Sequence, residues 1–174
     1  MKDLRFHNTL PVNFRKGNRA GFTLIELMIA IVILAILGAV AGPAMLRWLD
    51  QQSLQNAVFQ VGGDLYQAKS LAIRENNACD INFDSANDQY SRTLGATTTA
   101  LGNYRGGVTF TNDPAGAQAF SNSITFTGRG LSNPAGQVFI TNADNLNIYR
   151  IQTSGSGAIS TSVWNNSTNQ WVRY

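Results

Sequence analysis

A lone carboxylate at the head of a long apolar run is the first feature of this chain with a chemical consequence. Glu26 is followed by the uncharged stretch LMIAIVILAILGAVAGPAML, Leu27 to Leu46. At ~1.5 Å per residue, twenty helical residues span about 30 Å, the hydrocarbon thickness of a bilayer. A charge buried in lipid costs about 2.5–3.5 kcal/mol on insertion scales, so such a carboxylate needs a partner or a shallow position. Charge and position alone leave two accounts open. Glu26 snorkels at the lipid surface, favoured by the positive end of its helix, or it meets a cationic group.

Three other constellations could do chemistry. Asp80-Ile81-Asn82-Phe83-Asp84 matches the first half of a D-x-N-x-D calcium loop, but Ser85 replaces the required Gly and Ser91 stands where a bidentate Glu belongs. Period-two alternation accounts for it better: the acids face water, and Cys79, Ile81 and Phe83 face a core. Cys79 is the single cysteine and begins the apolar face of that strand, so a buried inert thiol is expected and an internal disulfide is excluded. The C-terminal Asn169-Gln170-Trp171-Val172-Arg173-Tyr174 interleaves two aromatics with one base. Nucleic-acid binding through stacked bases and phosphates needs several cations, and this segment supplies only Arg173. A last strand that packs Trp171 onto a sheet is the preferred reading.

The elements that must carry these residues follow from composition. Of 174 residues, 13 are Lys or Arg and 10 Asp or Glu, for a net charge of +3. Residues 1–21 hold Lys2, Arg5, Arg15, Lys16 and Arg19 against Asp3, so they carry +4 and leave the remainder at −1. A generally basic nucleic-acid-binding body is therefore disfavoured. The only histidine, His7, lies in that tail. The body thus lacks the residues for Ser-His-Asp or Cys-His catalysis and for a His/Cys zinc site, and Lys69 is its one lysine. No cofactor or metal is expected. Bases gathered before the apolar run place the tail in the cytoplasm and the body outside it. A cleavable secretory signal ending at Ala39-Val40-Ala41 is the rival, releasing a chain that starts at Gly42. It is disfavoured because the run continues to Leu46 and because a plain signal gains nothing from Glu26.

The segment Gly21-Phe22-Thr23-Leu24-Ile25-Glu26-Leu27, after a basic tail and before an unbroken apolar run, resembles the class III signal of type IV pilins and pseudopilins. The resemblance implies cleavage after Gly21 by a prepilin peptidase on the cytoplasmic face and N-methylation of the new terminus, Phe22. It implies that Glu26 pairs with the terminal amine of a neighbouring subunit during assembly with other pilins at an inner-membrane platform. Pro43 falls where that family bends its helix. The physics is compatible: Gly21 lets a peptidase approach the backbone, and a buried ion pair is far less costly than a lone buried charge.

Beyond Leu46 the run becomes amphipathic. Leu54, Ala57/Val58, Val61, Leu65, Ala68 and Leu71/Ala72 recur at three- and four-residue steps. One helix from about Phe22 to Asn76 is expected, transmembrane over 22–46 and packed on a sheet over 47–76, with Pro43 kinking it. Gly62-Gly63 is either a point of close strand approach or a soft point. After Asn77 alternation marks strands at 79–83, 108–110, 124–126, 138–140, 149–151 and 158–159, with turns at 103–107, 112–114, 133–134, 142–147 and 154–157. Residues 95–103 read as a surface loop. The fold class is α+β: a long N-terminal helix on antiparallel sheets of six or seven strands, with a leader over 1–21 and a β domain over 77–174.

Leu71-Ala72-Ile73-Arg74 closing the helix, the Ile124-Thr125-Phe126 strand with Gly128 and Gly130 after it, and the strand pair around 149–153 and 157–160 resemble the GspH/FimT group of minor pilins and pseudopilins. The resemblance implies a low-copy subunit of a type II secretion pseudopilus or a type IV pilus. Some FimT-like proteins bind DNA through an Arg-bearing C-terminal segment, which makes DNA uptake the alternative. The calcium site that major pseudopilins carry near the C-terminus is not transferred, because no acid follows Asp144.

Overall fold

The computed structural model describes residues 21–174. The expected leader lies outside the described residues except for Gly21. One helix, α1, runs from Leu24 to Glu75. Nine strands follow: β1 Cys79–Asp84, β2 Gln89–Arg92, β3 Thr97–Ala100, β4 Thr109–Thr111, β5 Ser123–Phe126, β6 Gln137–Thr141, β7 Tyr149–Thr153, β8 Ile159–Asn165 and β9 Gln170–Arg173. The chain divides into two units at Ala41/Gly42.

In the first unit the helix exposes its apolar side chains all round, from Leu24 to Val40. Its length and composition suffice to cross a membrane. A helix apolar on every face has no water-facing side, which is the property a lipid-spanning segment requires.

In the second unit Pro43 lies within the helix, which continues through it. Proline has no N–H, so the carbonyl of Ala39 receives no helical bond from it. Further on, the three- and four-residue periodicity is realised as a buried stripe of Leu54, Ala57, Val58, Val61, Leu65, Ala68 and Ala72. The helix ends on Asn76, which adopts φ +47°, while the Asn77 N–H reaches back to the Ala72 carbonyl at 3.1 Å. Asn tolerates this left-handed geometry, and the bond satisfies a carbonyl that the helix end would orphan.

The strands form two antiparallel sheets, ordered β3-β2-β1-β5 and β4-β6-β7-β8-β9. Their registers bring apolar residues opposite one another: Cys79 to Phe126 and Ile81 to Ile124 in the first sheet, Val138 to Ile151 and Ile140 to Tyr149 in the second. The helix stripe and both sheets share one core, which includes Phe83, Tyr90, Leu101, Val108 and Phe110.

Two expectations need correction, and of the two readings of Gly62-Gly63 the close strand approach falls. Two strands lie beyond the expected set: β2 pairs with β1, and β3 pairs with β2 at the sheet edge. Gln89-Tyr90-Ser91-Arg92 has one apolar residue, so hydrophobic alternation could not mark it. Residues 95–103 are not a surface loop: they hold β3 and a 3-10 turn whose Leu101 is fully buried. No strand approaches Gly62 or Gly63 closely; a methyl group on either would meet nothing within 4 Å.

Candidate processing and assembly site

The first turn of α1 is organised by Thr23. Its carbonyl accepts the Leu27 N–H at 3.2 Å, and its hydroxyl accepts the Glu26 N–H at 3.3 Å. Thr23 is therefore the N-cap and Glu26 the third helical residue, the T-x-x-E spacing of a capping box. Among the described residues the Glu26 carboxylate receives no hydrogen bond or ion pair. It lies exposed in the first turn, where the helix dipole favours a negative charge. Phe22 and Gly21 precede the cap in non-helical backbone, and Phe22 is 84% exposed. A methyl group on Gly21 would meet nothing within 4 Å. Gly21, Phe22 and Glu26 thus fall together within one turn of the helix start, with Pro43 much further along the same helix. The capping role of Thr23 was readable from its spacing to Glu26 and is the functional detail that sequence reasoning missed.

The other candidates serve the β body. Asp80 and Asp84 share the outward face of β1 but bond to separate partners. Asp80 accepts the Thr125 hydroxyl at 2.7 Å. Asp84 caps the β1–β2 turn, accepting N–H groups of Ala86 and Asn87 and the side chains of Asn87 and Gln89. These donors, the Asn87 side chain foremost, hold its carboxyl below the ordinary aspartate range. Cys79 is fully buried as a free thiol.

The C-terminal aromatics pack within the second sheet. Trp171 pairs with Trp164 across β9 and β8, with ring centroids 5.3 Å apart, and lies 5.6 Å from the Phe139 ring. The Arg150 guanidinium covers it at 4.6 Å from the ring centroid. Burial pushes the Arg150 side chain below its ordinary value, opposed by the charge of Asp113. Asp113 is itself tied to the backbone by N–H groups of Ala115, Ala117 and Gln118. Trp171 is therefore engaged by its own sheet rather than presented as an open stacking platform.

Polar contacts also join the helix to the β body. The Tyr90 hydroxyl donates to Asp64 at 2.6 Å, and burial, reinforced by that carboxylate, raises the phenol well above its ordinary value. Lys69 Nζ donates to the Gly157 carbonyl at 2.8 Å.

Comparison with known proteins gives two family matches. Residues 16–42 match the prokaryotic N-terminal methylation motif. Residues 57–157 match the type II transport protein GspH. Among curated proteins no sequence matches. Among solved structures, the type IV minor pilin FimU of Pseudomonas aeruginosa (strain PAO1) is similar at 18% identity and a TM-score of 0.49, over 72% of this chain and 96% of that one. The methylation motif covers the capped helix start with Glu26, and the GspH match covers more than half of the chain, from the buried helix stripe to the β7–β8 turn: the chain belongs to the GspH family of pilin-like structural subunits.

Proposed function

We propose that this protein is a minor pseudopilin or pilin that is cleaved after Gly21, methylated on Phe22 and built with other pilins into a filament supporting protein secretion or pilus biogenesis. The observation that carries the reading is the methylation motif lying over a capped helix start, with Glu26 one turn after Phe22. Cleavage frees an amine at Phe22. A carboxylate one turn away can neutralise it or the amine of a neighbour when subunits meet in lipid. Leaving one member of a buried pair alone costs about 3–5 kcal/mol, so the contribution of Glu26 arises on assembly rather than on folding. In this reading residues 22–46 cross the inner membrane, the tail is cytoplasmic and the body extracytoplasmic. The prepilin peptidase and the assembly platform act on the same N-terminal segment.

Intact mass of membrane-extracted protein tests the processing step: a methylated chain beginning at Phe22 is expected, and a terminus at Gly42 or an uncut chain in cells with the peptidase refutes it. Crosslinking of Glu26→Ala to the other pilins tests assembly. The variant is expected to insert and be cut normally but to incorporate poorly; normal incorporation leaves Glu26 a snorkelling surface carboxylate. DNA uptake is the second reading, supported by Arg173 and Arg150 lying in one cross-strand row with Ser162 between them. The cover of Arg150 over Trp171 speaks against base stacking there. Retardation of DNA by the purified body, lost in Arg173→Ala, would favour it.

A further inference from the structure

We propose that the β6–β7 loop, residues 142–147, docks on the headgroup layer of the phospholipid bilayer beside the exit of the apolar run. The proposal rests on the reading that residues 27–46 cross that bilayer. The uncharged run ends at Leu46, so Arg47 and Trp48 fall at the lipid–water boundary, the level at which Trp concentrates and to which an Arg at a helix end snorkels. Trp48 is 56% exposed, in a body whose other two tryptophans pack against each other. Leu146, at the tip of the loop, is 61% exposed. The two are neighbours: Trp48 and Arg47 line a cleft of about 320 Å³ together with Asp144 and Leu146. On the same cleft as Trp48, Leu146 lies beside the boundary residue.

The loop is held in this position. The Ala143 N–H donates to the Gly106 carbonyl at 3.0 Å, and Thr141 Oγ1 donates to the Asn147 carbonyl at 3.1 Å. Gly106 in turn lies against Asp50 of the helix, whose carboxylate accepts Arg105 Nε at 2.7 Å. A fixed, exposed leucine is not explained by the core, which it does not join. The charges in the cleft fit a zwitterionic headgroup. Among the described residues Arg47 and Asp144 form no ion pair, leaving a cation for a lipid phosphate and a carboxylate for a headgroup ammonium. Trp48 and Leu146 supply the apolar surface that enters the acyl boundary.

The test uses the full chain in vesicles of phosphatidylethanolamine and phosphatidylglycerol. An environment-sensitive dye is attached through Leu146→Cys, in a Cys79→Ala background, and read against the same dye at Ser156→Cys on the exposed β7–β8 turn and at Ala35→Cys within the apolar run. We expect iodide quenching at 146 to fall several-fold below that at 156, with clear quenching by lipid spin-labelled near the headgroup. Equal iodide access at 146 and 156 overturns the proposal, provided that position 35 is quenched by lipid spin-labelled deep in the acyl chain. If position 35 is not quenched, the membrane reading itself fails. Protection at 146 that arises only when other pilins are added overturns the lipid assignment in favour of a subunit contact. Asp144→Cys gives the same readout if Leu146→Cys does not accumulate.

Discussion

Replacing Gly157 by Ala tests the latch that joins the helix to the β7–β8 turn. Gly157 has φ +74°, and a methyl group there would overlap the backbone carbonyl oxygen of Gly130 and come within 3.3 Å of Lys69 Nζ. The left-handed backbone costs a non-glycine residue about 1–2 kcal/mol. Overpacking against backbone, which cannot swing aside as a side-chain tip can, costs about 1–3 kcal/mol more. Together these give roughly 2–5 kcal/mol, against a total stability of about 5–15 kcal/mol for a domain. If the turn moves to relieve the overlap, the Lys69 bond to the Gly157 carbonyl is lost as well, so relaxation is itself costly. At about 3–5 °C per kcal/mol for a body of this size, the midpoint of thermal unfolding should fall by roughly 6–25 °C. The assay is thermal unfolding by circular dichroism on a fragment beginning at Arg47, which retains Asp50 and every core residue. Gly155→Ala is the control: it lies two residues away, has no positive φ, and its added methyl meets nothing within 4 Å. It should change the midpoint by no more than a degree or two. A Gly157→Ala variant as stable as Gly155→Ala would refute the argument, because both the turn geometry and the contact with Gly130 would then be irrelevant to stability.

Two further outcomes follow from the body. Leu101→Ala should destabilise by about 2–5 kcal/mol in denaturant unfolding, since its side chain is fully buried in the common core; a loss below about 0.5 kcal/mol would return residues 95–103 to the status of a surface loop. The Tyr90 phenol is raised in the folded state by burial first and by Asp64 second, so the folded body holds that proton more tightly than the unfolded chain. Its contribution is therefore fully present below the unfolded value of about 10 and lost as pH rises above it. Tyr90→Phe should flatten the alkaline fall in stability and, by leaving Asp64 without the hydroxyl, lower stability at neutral pH; an unchanged alkaline limb would sink this assignment.

What was readable in the sequence divides along a physical line. Signals confined to a few consecutive residues, or to one period of an element, survived folding. The buried stripe from Leu54 to Ala72 follows directly from three- and four-residue steps. Cys79, Ile81 and Phe83 face the core as alternation required. Strands whose partners rather than their own side chains define them were missed. Thr97-Thr98-Thr99-Ala100 becomes β3 because β2 offers its edge, with Tyr90 opposite Thr99 and Ser91 opposite Thr98. Nothing in a run of threonines after Gly95 announces that partner.

The same line separates the two parts of the functional reading. The chemistry of the N-terminal segment is local: Thr23, Glu26 and the proposed cleavage point between Gly21 and Phe22 lie within six residues, so types and spacing alone express the cap, the carboxylate and the motif. The body is held instead by contacts that the sequence separates widely. Lys69 reaches Gly157 across 88 positions, and Tyr66 reaches the Ile159 carbonyl across 93. Glycine at 130 and 157 is required by left-handed backbone together with long-range contacts, Gly130 against Ile73 and Lys69 of the helix and Gly157 against Gly130, and each glycine in isolation looks like any other turn residue. Leu146 is the same kind of case. In the sequence it is one apolar residue in the polar stretch Asn142–Asn147, and it gains meaning only when folding brings it beside Trp48 at the end of the apolar run. The features that would distinguish this subunit from others with the same N-terminal motif are therefore those assembled over long range, on surfaces the motif does not encode.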